Sequence, residues 1–267
     1  MPAQEREPAR AQRMIIAAYN PKGGVGKTTT AVNVATVLAR QGRSVLLIDL
    51  EADLNSSISL GVRPSESFPS VAELLLHENR PAVAIRAIKS VENLHLIAGS
   101  PRLASMDVSL RNVRQPERRL PDIIRPLQGA FDVIIIDAPS GFSLLSLSVP
   151  LIATELVVPT RADYLSLESL AQFLRWYRDL RAAGKAVAPV SGILLTMVDY
   201  RRQATREIVD IIRVHNRRGV FRTEIPEDPR VGEAPSHGKP LVDYSRSRAA
   251  AAYRQFTGEL LRRIRRR

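Results

Sequence analysis

The chain has 267 residues, 45% of them hydrophobic, which is enough for one large α/β unit with a substantial core. It contains no cysteine, which excludes disulfides, thiolate metal sites, cysteine nucleophiles and iron–sulfur clusters. The net charge of +12 and pI near 10.7 favour a polyanionic partner, nucleic acid or an anionic membrane surface.

Residues 1–13 are charged and lack the apolar core of a secretory signal, and they are expected to form a flexible tail before a single domain over 14–267. No apolar run approaches the roughly 20 residues of a spanning helix, so a soluble, cytoplasmic chain is expected. The apolar run Met14–Tyr19 predicts a first strand, and a helical pattern covers Ala31–Arg40. Between them Lys22–Thr30 reads Lys-Gly-Gly-Val-Gly-Lys-Thr-Thr-Thr. A standard phosphate-binding loop reads Gly-(any four)-Gly-Lys-Thr; this one lacks the first Gly and carries two lysines, Lys22 and Lys27. Gly23, Gly24 and Gly26 allow backbone conformations closed to other residues, so successive N–H groups can converge on phosphate oxygens. A helix N-terminus behind the loop adds its partial positive charge. Lys27 is placed to reach the β and γ phosphates, and the Thr28 hydroxyl to bind Mg²⁺.

Downstream, Ser44–Asp49 is an apolar strand closing on an acid, of the kind found in parallel sheets covered on both faces. A short helix is predicted at Pro69–Leu76 and a strand at Leu94–Ala98. Another helix follows over Pro116–Leu127, with Pro121 and Pro126 at irregular ends. Phe131–Asp137 is a second apolar strand ending in Asp. Strands at Glu155–Val158 and Val190–Thr196 follow, with helices over Ser166–Ala183, Thr205–Asn216 and Ala249–Arg265. This alternation predicts an α/β fold: a doubly wound, mostly parallel sheet with helices on both faces and its ligand at the carboxyl ends of the strands. Asp137 is then the candidate for holding Mg²⁺ through water, and its Asp-Ala-Pro-Ser-Gly continuation suggests a phosphate-sensing loop. Asp49 is a second metal candidate or a cap for the next turn. His77, His95, His215 and His237 show no metal-ligand spacing. Arginines concentrate in the last third of the chain, in pairs and in the closing run Arg262–Arg267, and are read as a polyanion-binding surface.

Taken together, Lys22–Thr30, Val45–Asp49, Phe131–Gly141, Gly192–Val198 and Glu233–Pro240 resemble the ParA/Soj–MinD group of deviant Walker ATPases, and the Soj-like ParA branch in particular. The last segment, Glu-Ala-Pro-Ser-His-Gly-Lys-Pro, is the most specific. The resemblance implies an ATP hydrolase that uses ATP and Mg²⁺ and forms a nucleotide-sandwich homodimer. It implies nonspecific binding of double-stranded DNA in the nucleoid, and a ParB-like adaptor that stimulates slow hydrolysis. It implies that Lys22 reaches the neighbouring subunit's phosphates, much like an arginine finger supplied in trans. The catalytic set is then Lys22, Glu51 and Asp137, and the metal set Thr28, Asp49 and Asp137. The nucleotide is held by Lys22, Gly23, Gly24, Val25, Gly26, Lys27, Thr28, Thr29 and Pro226. Arg217, Arg218, Arg222, Arg230 and Lys239 are the expected DNA contacts.

Two departures from the family pattern stand out. The first switch usually reads Asp-x-Asp-Pro-Gln, but here it is Asp49-Leu-Glu-Ala-Asp53, so Glu51 must position the attacking water from one methylene further out. Where relatives have Pro-Arg-Asn-Val-Arg, this chain has Pro226-Glu-Asp-Pro-Arg230, which puts Glu227 in place of a basic residue. The same cycle with a different cargo is an alternative, as is a nucleotide-binding module without turnover. A MinD-like membrane-surface ATPase is a further one, since Tyr253, Phe256, Leu260, Leu261 and Ile264 form an apolar stripe flanked by arginines. A helix closing the core explains that stripe better, so membrane binding is not expected.

Overall fold

A computed structural model describes residues 14–78, 80–217 and 219–266; the predicted tail over 1–13 and Arg218 lie outside them. In chain order, β1 (Met14–Ala18) leads through the glycine-rich loop into α1 (Lys27–Arg40), which returns to β2 (Val45–Asp49). The crossover from β2 holds short helices α2 (Asn55–Ser59), α3 (Val71–Leu75) and α4 (Pro81–Ala84), then β3 (Ile85–Ala87) and β4 (Leu94–Ile97). Helices α5 (Met106–Ser109) and α6 (Arg119–Ile124) precede β5 (Val133–Asp137) and α7 (Leu144–Ile152). Next come β6 (Glu155–Arg161), α8 (Tyr164–Ala182), β7 (Val190–Thr196) and α9 (Gln203–His215). The short α10 (Arg230–Glu233) and α11 (Leu241–Tyr244) lead to the closing α12 (Arg248–Arg265).

The strands form one seven-stranded sheet in the order β3-β4-β2-β5-β1-β6-β7. All neighbours are parallel except β3 and β4. The central strands β1, β2 and β5 are buried almost throughout, as their unbroken Val/Ile/Leu runs require. Two apolar cores lie on opposite faces. One packs α3, α6, α7, α8 and α9 against the sheet and the other packs α1, α11 and α12, so the sheet is doubly wound as predicted.

Several elements differ from the sequence expectation. The edge strand β3 is antiparallel and only three residues long, too short to give a periodic signal. Helix α7 was not anticipated because Pro150 sits inside it; the Pro150 carbonyl, in the last turn, accepts from Ala188 N–H. The helix expected over Pro116–Leu127 breaks into α6 with 3₁₀ turns on either side, the second containing Pro126. Strand β6 runs past its expected end at Val158 to Arg161. Pro159 is tolerated there because its pairing with β1 ends at Val157, and its carbonyl accepts from the Asn20 side chain at 2.8 Å. Most of the stripe of α12 is core: Tyr253 is 2% exposed, Phe256 0% and Leu260 1%, with Leu261 and Ile264 partly buried against the same cluster.

Candidate functional site

The topology brings the glycine loop and both strand-end acids to one edge. Asp49 and Asp137 are register partners at the ends of β2 and β5, and Asp137 is also paired with Ala18 at the end of β1, just before the loop. Gly24 and Gly26 have φ of 72° and 86°, in the left-handed region that the loop's path needs. Gly26 caps α1 without any side chain, and the first turn of α1 holds no acid, so its positive N-terminus is left open to an anion. The Val25 carbonyl is pinned by the Thr196 hydroxyl at 2.9 Å, which ties the loop to the end of β7.

Two adjoining cavities share Gly26, Thr29 and Met197. The first, about 350 Å³, is lined by the loop from Gly23 to Thr29 together with Glu51, Asp53, Asn55 and Ser140. The second, about 570 Å³, lies beyond it against Pro226, Glu227 and Tyr253. There Glu227 pairs with Arg202 at 3.0 Å, and the departure from the basic family residue neutralises a neighbouring arginine.

Lys27 is buried, 4% exposed at its side chain, and its Nζ donates to the Ser140 hydroxyl at 2.8 Å and the Lys22 carbonyl at 3.2 Å. Glu51 lies 3.6 Å from the same ammonium and accepts from Ser140 Oγ at 3.1 Å. Lysine, serine and glutamate thus close a ring over the loop. Lys22 points elsewhere, to Ser166 Oγ at 3.0 Å and Asp163 Oδ1 at 3.4 Å at the start of α8. Burial pushes Asp163 up, but the Ser166 hydrogen bonds and the Lys22 charge outweigh it, leaving the carboxyl below its ordinary range.

The two strand-end acids have different surroundings. Asp49 takes hydrogen bonds from Glu51 N–H, Ser57 N–H and Ser57 Oγ, so its oxygens organise the segment that carries Glu51. Asp137 accepts from Ser56 Oγ at 2.9 Å, while its Oδ1 is buried with no hydrogen bond in the structure. Burial and the adjacent Asp49 push the Asp137 carboxyl well up, and the Thr28 and Ser56 hydroxyls only partly offset this. Asp49 is raised too, chiefly by burial. A buried carboxylate oxygen without a donor, next to Thr28 and a basic loop, is the chemistry of a divalent-cation site completed by phosphate and water. The donor set fits Mg²⁺.

Sequence reasoning missed Asn55, Ser56, Ser57, Met197 and Asp163, which reach the site only through the fold, and gave Ser140 no role of its own within the loop after Asp137. The proposed DNA contacts do not converge. Arg230 and Lys239 lie on the nucleotide side, Lys239 following the Gly238 that abuts Gly61 after α2. Arg217 and Arg222 lie at the other end of the sheet, where the chain rejoins β7 beside Ile193.

A family model described as an AAA domain matches residues 13–186. The sporulation initiation inhibitor protein Soj of Bacillus subtilis is 34% identical over 247 residues, 92% of this chain and 97% of that protein. The chromosome-partitioning ATPase Soj of Thermus thermophilus is 36% identical over 256 residues, 96% of this chain and 98% of that one. Among solved structures, cobyrinic acid a,c-diamide synthase from Mycobacterium smegmatis with bound ATP analogue and magnesium superposes with a TM-score of 0.81. It is 30% identical, covering 95% of this chain and 96% of that chain.

Proposed function

This chain belongs to the ParA–MinD family of ATPases, and from that premise we propose that it is an ATP- and Mg²⁺-dependent hydrolase whose ATP-bound homodimer holds DNA nonspecifically and drives DNA partitioning. The observation that carries this reading is the convergence of Lys27, Glu51, Ser140 and Asp137 around an uncapped helix N-terminus, with Lys22 parked beside it. Its relative Soj of Thermus thermophilus is named for chromosome partitioning.

In the proposed cycle the loop N–H groups and Lys27 bind the β and γ phosphates, and Lys27 exchanges Ser140 and Glu51 for phosphate oxygens. Mg²⁺, held by the Thr28 hydroxyl and through water by Asp137, would neutralise charge on the phosphoryl oxygens. Glu51, released from Lys27, orients the attacking water. Lys22 leaves Asp163 and reaches across to the partner subunit's phosphates, so the triphosphate compensates two lysines that would otherwise repel. Slow turnover, stimulated by DNA and a ParB-like adaptor, completes this reading. The test is ATP turnover with and without DNA and a neighbour-encoded adaptor. No turnover under any of these conditions would refute the hydrolase assignment.

A further inference from the structure

Arginines on the two sides of the sheet are treated differently. On the nucleotide side they are answered by acids: Arg201 and Arg202 by Asp199, Arg202 also by Glu227, and Arg230 by Asp228. Towards the amino end of β7 Arg213 still pairs with Glu224, but three neighbouring arginines differ. Arg222, Arg262 and Arg266 are exposed around a concavity of about 640 Å³, floored by Ser191 near the start of β7. None of the three guanidinium groups has a hydrogen-bond or acidic partner in the structure among the described residues.

The one carboxylate lining this concavity among the described residues is already engaged. Glu259 accepts from Arg222 N–H at 2.8 Å, Thr223 N–H at 2.9 Å and Thr223 Oγ1 at 2.7 Å, which fixes the backbone that presents Arg222. Arg263 is the anchor. It donates to the Ser191 and Val220 carbonyls, both at 2.9 Å, and lies 4.3 Å above the Phe221 ring. Arg262 lies in the last turn of α12 and Arg266 is its C-cap residue four positions on, so both are presented at the helix end that Arg263 anchors. Ser191 is five residues before Thr196, the residue that touches the phosphate loop, so the cluster sits roughly 16 Å along the strand from the nucleotide edge.

We propose that Arg222, Arg262 and Arg266 form a second anion-binding surface that holds the phosphate backbone of DNA in every nucleotide state, one surface per subunit. The inference rests on the reading that the protein binds DNA, but it is independent of the ATP gate, because the set is complete within one subunit and lies away from the nucleotide edge. Nucleic acid suits the cluster better than a lipid surface, since Tyr253, Phe256 and Leu260 on the apolar side of α12 are buried in the core and Leu261 and Ile264 pack partly against it. A weak hold per subunit doubles in an ATP dimer and keeps the released subunit close to DNA after hydrolysis.

The test is fluorescence anisotropy of a mixed-sequence 30-base-pair duplex with the full chain, without nucleotide and with ATP, from 50 to 200 mM salt. Anionic phosphatidylglycerol vesicles serve as a parallel probe. The proteins are wild type, R222A/R262A/R266A and R222K/R262K/R266K. The inference expects salt-sensitive binding without nucleotide, weakened at least tenfold in the alanine variant, with the salt slope flatter by about 2 to 3. It expects near-recovery in the lysine variant and a retained ATP-dependent increment in all three. Binding by wild type only with ATP would overturn the inference and leave the proposed function standing. No DNA binding in either state would remove both. Unchanged affinity in the alanine variant, or a loss confined to vesicles, would also overturn it.

Discussion

Lys22 and Asp163 form an ion pair within one subunit, Nζ to Oδ1 3.4 Å, with Ser166 Oγ as a second partner for the ammonium. In the proposed cycle this pair opens before Lys22 crosses to the partner. Both side chains are partly exposed, at 25% and 38%, so the pair is worth at most about 1 kcal/mol. Asp163→Asn keeps an α8 cap while removing the charge. Sedimentation with ATP and Mg²⁺ should show dimerisation two- to fivefold tighter; weaker dimerisation would contradict a holding role for Asp163.

Ser140 bridges Lys27 and Glu51, 2.8 Å from one and 3.1 Å from the other. Ser140→Ala is expected to lower kcat about tenfold with KM for ATP changed less than about twofold, because a misplaced carboxylate costs rate before it costs binding. In a Glu51→Gln background the same substitution should add almost nothing. Independent effects of the two substitutions would show that Ser140 does not act through Glu51.

Asp137 gives a pH signature. Its folded-state pKa is raised by burial and by Asp49, so the folded chain holds this proton more tightly than the unfolded one. That contribution is largest below the unfolded value and is lost as pH rises through the folded value, so the nucleotide-free protein should lose stability from about pH 4 upward. Asp137→Asn should raise the nucleotide-free Tm by about 2–4 °C at pH 8, equivalent to ~1 kcal/mol. It should also flatten the pH dependence and remove the Tm gain from ATP and Mg²⁺. A lower Tm in the variant, or an intact gain from Mg²⁺ with ATP, would count against the assignment.

Gly99 backs the switch segment. A Cβ there would lie 2.6 Å from the Glu51 carbonyl and 3.0 Å from the Asp49 carboxyl carbon. Gly99→Ala is predicted to destabilise the protein by about 1–3 kcal/mol and to lower kcat, since the strain falls on the backbone that aims Glu51. Gly184→Ala is the contrast. Its φ is +71° but a Cβ meets nothing within 4 Å, so it should cost stability alone. Equal kcat losses at both positions would show that Gly99 has no special link to the switch.

The parts of the site that could be read in the sequence are those whose chemistry is written locally. Gly23 to Thr28 needs its glycines next to its lysine, and Asp49 and Asp137 each close an apolar run that can only be a buried strand. Ser57, Gly99 and Asp163 carry no such local mark, and Ser140 only that of the loop after Asp137; parallel crossovers bring them to the site from segments up to 141 positions apart. The basic residues show the same limit from the other side. Arg222 and Arg230 are close in sequence, yet the return to β7 sends one to the amino end of the sheet and leaves the other beside the nucleotide cavities.

The central claim is an ATP-gated dimer that depends on Lys22. Its most direct test is molar mass by light scattering, for Glu51→Ala protein with ATP and Mg²⁺, with ADP and Mg²⁺, and for the same protein carrying Lys22→Ala. The account predicts twice the 29.6 kDa chain mass with ATP, the single mass with ADP, and the single mass in both states once Lys22 is removed. A dimer that forms equally with ADP, or that survives loss of Lys22, would contradict it.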